Sequence, residues 1–103
     1  MKVSTFDADV RRALDSLPPE LAAKLENVAV VVEDENGEDP DLFGLFEQSE
    51  YLPARIVVYR RPLQEEFGHD AGALEEEIRT TVLHELAHYF GIEEDRLDEL
   101  GYG

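Results

Sequence analysis

HELAHYFGIEE, residues 84–94, places two histidines four apart with an acid directly after the first. On a helix this spacing stacks His84 and His88 on one face about one turn apart, so that both imidazoles can grip one ion. Neutral imidazole suits zinc, which tolerates an open coordination position and lowers the pKa of a bound water to about 7 in favourable sites. Glu85 falls beside the histidine face but too far round the helix to be a natural ligand, which is where a general base for that water belongs. The chemistry spelled by these residues is hydrolysis: water is made nucleophilic near neutral pH, and a peptide carbonyl is polarised by the same ion. A third protein ligand is still needed. Gly91 permits a left-handed turn that swings the chain back, and Glu94 stands three residues beyond it. Asp95 takes that place if the turn is one residue tighter, and Glu93 is the remaining neighbour. His69, the only other histidine, precedes the helix on an expected loop.

These residues need a rigid carrier, and the surrounding pattern supplies one. From about Ala73 to Phe90 the chain reads as its longest helix, with Asp70 able to cap its start and Gly91 its end. At about 100° per residue, Ile78, Val82, Leu83, Leu86, Tyr89 and Phe90 fill one broad arc that both histidines avoid. Upstream, Phe6, Val10, Ala13, Leu14 and Leu17 recur at helical spacing, with Ser4 or Thr5 as a cap and Asp7 and Asp9 suited to the helix dipole. Pro18-Pro19 ends that helix, and Pro19 opens a short second one with Leu21 and Leu25. VAVVVE, residues 28–33, is β-branched and evenly apolar, which predicts a buried strand. DENGEDPD follows as turn and loop. LFGLFEQ, residues 42–48, reads as a short edge strand interrupted by Gly44, a place where another backbone comes close. RIVVY, residues 55–59, is a stronger strand. Pro62 and Gly68 bracket one or two helical turns, and a last helical stretch holds Arg96, Leu97 and Leu100.

Composition narrows the setting. At 103 residues the chain is expected to form a single domain, residues 1–103, with one core. Its 25 acids against 9 bases give a formal charge of -16, which repels phosphate backbones and argues against a nucleic-acid partner. Between Lys24 and Arg55 there is no base at all, while acids accumulate from Glu33 to Glu50. Such a run is a solvated face or a rim that attracts a basic peptide. With no cysteine there is neither a disulfide framework nor a thiolate metal site. The start lacks the apolar stretch of a signal peptide and no run reaches membrane-spanning length, so a cytoplasmic setting without a membrane partner is expected.

The motif H-E-x-x-H-x-x-G-x-x-E, together with PPELAAKLENVAVVVED, PDLFGLFE, RIVVYRRPL and DRLDELGY, resembles the minimal zincins, small bacterial metallopeptidase-like domains that carry this motif close to the C-terminus. The resemblance covers nearly the whole chain. It implies an α/β (α+β) domain with a small mixed sheet packed against an active-site helix, a Zn2+ cofactor held by His84 and His88, and Glu85 as base. That family usually shows aspartate where Glu94 stands, and glutamate is one methylene longer. Only residues 95–103 follow Glu94, which leaves no room for the downstream methionine turn of the larger metzincins and predicts a shallow cleft.

The leading expectation is a zinc-dependent peptidase acting on a basic, extended peptide or protein segment that pairs with the edge strand. The alternative is a non-catalytic metal-binding or peptide-binding module, for which Glu85 has no chemical use. A zinc ribonuclease is opposed by the charge and by the lack of a third histidine after the motif.

Overall fold

The structure, a computed structural model, describes residues 5–90, with Phe90 described through its backbone alone. In chain order the elements are α1 (Thr5–Asp15), α2 (Pro19–Lys24) followed by a 3-10 turn (Leu25–Asn27), β1 (Ala29–Glu33), β2 (Gly44–Glu47), β3 (Arg55–Tyr59), α3 (Arg60–Phe67) and α4 (Ala71–Phe90). The expected turn at Gly91, the ligand position Glu94 with its neighbours, and the last helical stretch lie outside the described residues.

RIVVY becomes the strand on which the rest is built. β3 lies between the other two, parallel to β1 with Val31 opposite Val57, and antiparallel to β2 with Leu45 opposite Val57. The sheet is therefore mixed, and the fold is the expected α+β arrangement. Side chains alternate across a strand, so Val30 and Val32 of β1, Ile56 and Val58 of β3 and Phe46 of β2 face the helices, where Ile56 and Val58 belong to one core cluster and the other three pack against it half-buried. α1 contributes Phe6, Val10 and Ala13 to that cluster, and α4 contributes Leu74, Ile78, Val82, Leu83 and Leu86. α4 thus lies across one face of the sheet with α1 packed against it. Among the described residues no helix is long and apolar enough to cross a membrane.

Two expectations are corrected in detail. The valine run of β1 was expected to be buried, yet β1 is an edge strand whose residues are half-buried or exposed. A parallel neighbour on one side leaves its other edge open, and periodicity along a strand carries no information about strand order. Asp9, expected near the helix dipole, is instead 3 % exposed and bonded to Arg12. Burying a carboxylate is costly unless it is paired, and the guanidinium one turn along supplies the pair.

The segment between β1 and β2 is pinned near its start. Arg60 donates through Nε and Nη2 to one oxygen of Asp34 at 3.0 and 2.8 Å, and the backbone N–H of Arg61 donates to the Asp34 carbonyl at 2.9 Å. The Asn36 amide donates to the Tyr59 hydroxyl at 2.9 Å, while its own oxygen accepts the N–H groups of Glu38 and Asp39 at 2.8 and 3.0 Å. An Asx-type turn is thereby fastened to the end of the central strand. The hydrogen bond from Arg60, with its positive charge, holds the Asp34 carboxyl below the ordinary carboxylate range. A depressed folded-state pKa contributes stability that is present above the unfolded value and is lost as pH falls through the folded one. A carboxyl-carbon NMR titration is therefore expected to place the Asp34 midpoint below about 4, the free aspartate value, and Arg60→Gln is expected to move it upward. An unchanged midpoint in Arg60→Gln would show that the guanidinium does not set the Asp34 carboxyl's pKa.

Candidate functional site

α4 carries the motif because its start and one face of the helix are fixed. The Asp70 carboxylate accepts the N–H of Ala73 at 3.0 Å, satisfying an otherwise orphaned first-turn donor. Ile78, Val82, Leu83 and Leu86 are each at most 1 % exposed and Ala87 is 4 % exposed, so the helix cannot roll without opening the core. This fixed face leaves His84 and His88 exposed on the opposite one, with Glu85 half-buried at the border. The structure thus places all three as their spacing predicts. It departs from expectation at Tyr89, assigned to the buried arc but 39 % exposed. Its ring stacks on Phe46 of β2, with centroids 4.3 Å apart and planes 20° from parallel, so the aromatic pair bridges helix and edge strand rather than filling the core.

A cleft of about 330 Å³ opens between α4 and the chain leading into β2. Thr80, Thr81, His84 and Glu85 form its helical wall; Leu42, Phe43 and Gly44 form the opposite one. Asp39, Asp41 and Glu77 add three carboxylates, and among the described residues no lysine or arginine lines it. None of these three acids makes an ion pair with a described residue. The loop DENGEDPD therefore does more than turn the chain: Asn36 folds it so that Asp39 and Asp41 reach the cleft. The acids are legible in the sequence but their destination is not, because the anchor of Asn36 at Tyr59 is 23 residues away.

The wall at β2 has a particular backbone arrangement. The N–H of Tyr59 donates to the carbonyl of Phe43 at 2.9 Å, which makes Phe43 and Tyr59 a hydrogen-bonded pair. In an antiparallel ladder such pairs alternate with non-bonded ones. Given the register, Leu45 and Glu47 then point their backbone groups at β3, while Gly44 and Phe46 direct theirs to the other edge of β2. Among the described residues no strand pairs with that edge. Gly44 was expected to admit another backbone; what comes close is the side chain of Thr81, 2.5 Å from where a Cβ on Gly44 would stand, with the Val57 carbonyl at 3.2 Å and Glu85 Cγ at 3.7 Å.

Whether these residues fit a metal is decided by the donors. Both imidazoles are exposed on one helix face and neither is engaged with a described residue, so their nitrogens are free to coordinate, and neutral imidazole is a zinc donor. Among the described residues no third histidine, cysteine or acid joins them to complete a cluster. The donor set fits zinc as far as the described residues reach. His69, exposed in the turn before α4, is not part of this face.

No curated protein matches the chain. A family profile described as zincin-like metallopeptidase matches residues 25–103, from the 3-10 turn through α4 and the motif to the last residue. That family implies a metal, usually zinc, and the match takes in both histidines, Glu85 and the cleft. The chain belongs to the zincin-like metallopeptidase family.

Proposed function

We propose that the protein is a zinc-dependent peptidase that hydrolyses peptide bonds in extended, basic segments laid along the open edge of β2. The observation that supports it most is the position of Glu85, on the wall of a cleft that also takes in His84 and whose opposite wall is Gly44. In this reading His84 and His88 hold the ion, and Glu94, beyond the described residues, is the third ligand. A zinc ion, when bound, supplies Lewis acidity that activates water near neutral pH and polarises the scissile carbonyl. The remaining work belongs to the chain. Gly44 and Phe46 offer backbone donors and acceptors that hold the substrate extended, as an added strand is held. Asp39, Asp41 and Glu77 draw a lysine or arginine side chain into the cleft, where no lysine or arginine of the described residues competes for them. Glu85 accepts a proton as water attacks the carbonyl carbon, and delivers it to the amine nitrogen as the C–N bond breaks. One product carries the new carboxylate and the other the free amine.

A library of unstructured peptides rich in Lys and Arg, read by mass spectrometry with parent and chelated protein side by side, tests this. Cleavage by the parent, abolished by chelation, is expected, with the cut segments enriched in basic residues over an acidic control library. If the protein carries zinc and binds these peptides but never cuts them, the peptide-binding module is the correct account and the enzyme is not.

A further inference from the structure

Gly44 and Thr81 meet where the edge strand touches the helix of the motif. Gly44 is buried, and a Cβ there would stand 2.5 Å from Thr81 Cγ2, inside any real contact distance. The backbone at Gly44 is not in the left-handed region, so glycine supplies space here and not conformational freedom. Thr81 is 8 % exposed, and its methyl group fills the space that the missing side chain leaves. One turn further along α4 comes Glu85, whose Cγ lies 3.7 Å from the same point. The contact therefore sets how far the outward-facing backbone groups of Gly44 and Phe46 stand from the residue proposed as base.

We infer that Gly44 and Thr81 are positioning residues for the reaction: their methyl-into-glycine contact is a spacer that fixes the gap between the strand holding the substrate and the helix holding Glu85. This deepens the peptidase reading and rests on it. Interiors are close-packed and do not absorb an added methyl by compressing. A methyl on Gly44 must push β2 and α4 apart by about 1 Å, a displacement that costs on the order of 100-fold where reacting groups have to be aligned. The displacement moves the substrate-bearing edge relative to α4, but it leaves His84 and His88 in register with each other, because both belong to one helix.

The experiment uses the full-length zinc-loaded protein and two probes: acetohydroxamate, which reaches a metal but is too small to span the cleft, and a short fluorescein-labelled arginine-rich peptide hydroxamate, which must also lie along β2. Gly44→Ala is expected to weaken the peptide probe by about 100-fold while zinc content and acetohydroxamate affinity stay within about threefold of the parent. Gly44→Ala/Thr81→Ser moves the methyl from helix to strand and is expected to restore peptide affinity to within about threefold. If Gly44→Ala fails to fold, the double variant still decides, since only a spacer predicts that it folds and binds. Parent-like peptide binding by Gly44→Ala, equal losses with both probes, or no restoration in the double variant would overturn the inference. Failure of the peptidase reading itself is read separately, as absence of zinc-dependent cleavage by the parent.

Discussion

Glu85→Gln is expected to lower peptide hydrolysis by about 10³-fold, the middle of the range for loss of a general acid–base group, with zinc content and thermal midpoint unchanged. Glutamine preserves the length and an acceptor oxygen but cannot take a proton from the attacking water. The residue is half-buried at the border of the core face, and it has no hydrogen-bond or ion-pair partner among the described residues, so the substitution breaks no interaction that holds the fold. Activity and zinc content measured on the same preparation separate the two effects. A fall in kcat with KM little changed is the expected pattern, because proton transfer belongs to the transition state and not to binding. Equal activity in Glu85→Gln and parent would remove Glu85 from the mechanism.

His84→Ala and His88→Ala are each expected to weaken zinc binding by more than about 100-fold, since even residues that only hydrogen-bond to a ligand cost 10–100-fold when removed. Both side chains are exposed, so neither change opens a cavity, and the folded proteins are expected to unfold at the parental temperature when compared without metal. The histidines must be deprotonated to coordinate, so parental affinity is expected to fall as the solution is acidified, protons competing for the same nitrogens. Competition titration with a chromophoric chelator at several pH values measures this. Retention of parental affinity in both variants would place the metal elsewhere.

Much of this site was legible because its determinants are local. The helix that bears the motif is specified by its own arc of apolar residues and by Asp70 at its start, and RIVVY is β-branched enough to be a strand in any context. The limits lay in distant pairings. Nothing in VAVVVE distinguishes an edge strand from a central one, because strand order depends on RIVVY arriving later and inserting between β1 and β2. Gly44 announced a close approach, but the partner is a methyl group 37 positions along the chain at Thr81, which no spacing rule anticipates. Tyr89 falls within the apolar arc by periodicity, yet near the end of α4 its ring stacks on Phe46 of the edge strand. The acids of DENGEDPD looked like solvated charge until the Asn36 to Tyr59 bond folded two of them toward the motif.

In the proposed mechanism the paired histidines of α4 form a zinc site serving Glu85. Elemental analysis of the full-length protein, purified without added metal alongside His84→Ala/His88→Ala, tests it most directly. About one zinc ion per chain is expected in the parent, as for a site with the usual three protein ligands, and essentially none in the double variant. Zinc absent from the parent even after incubation with a stoichiometric supply, or present equally in both proteins, would contradict it.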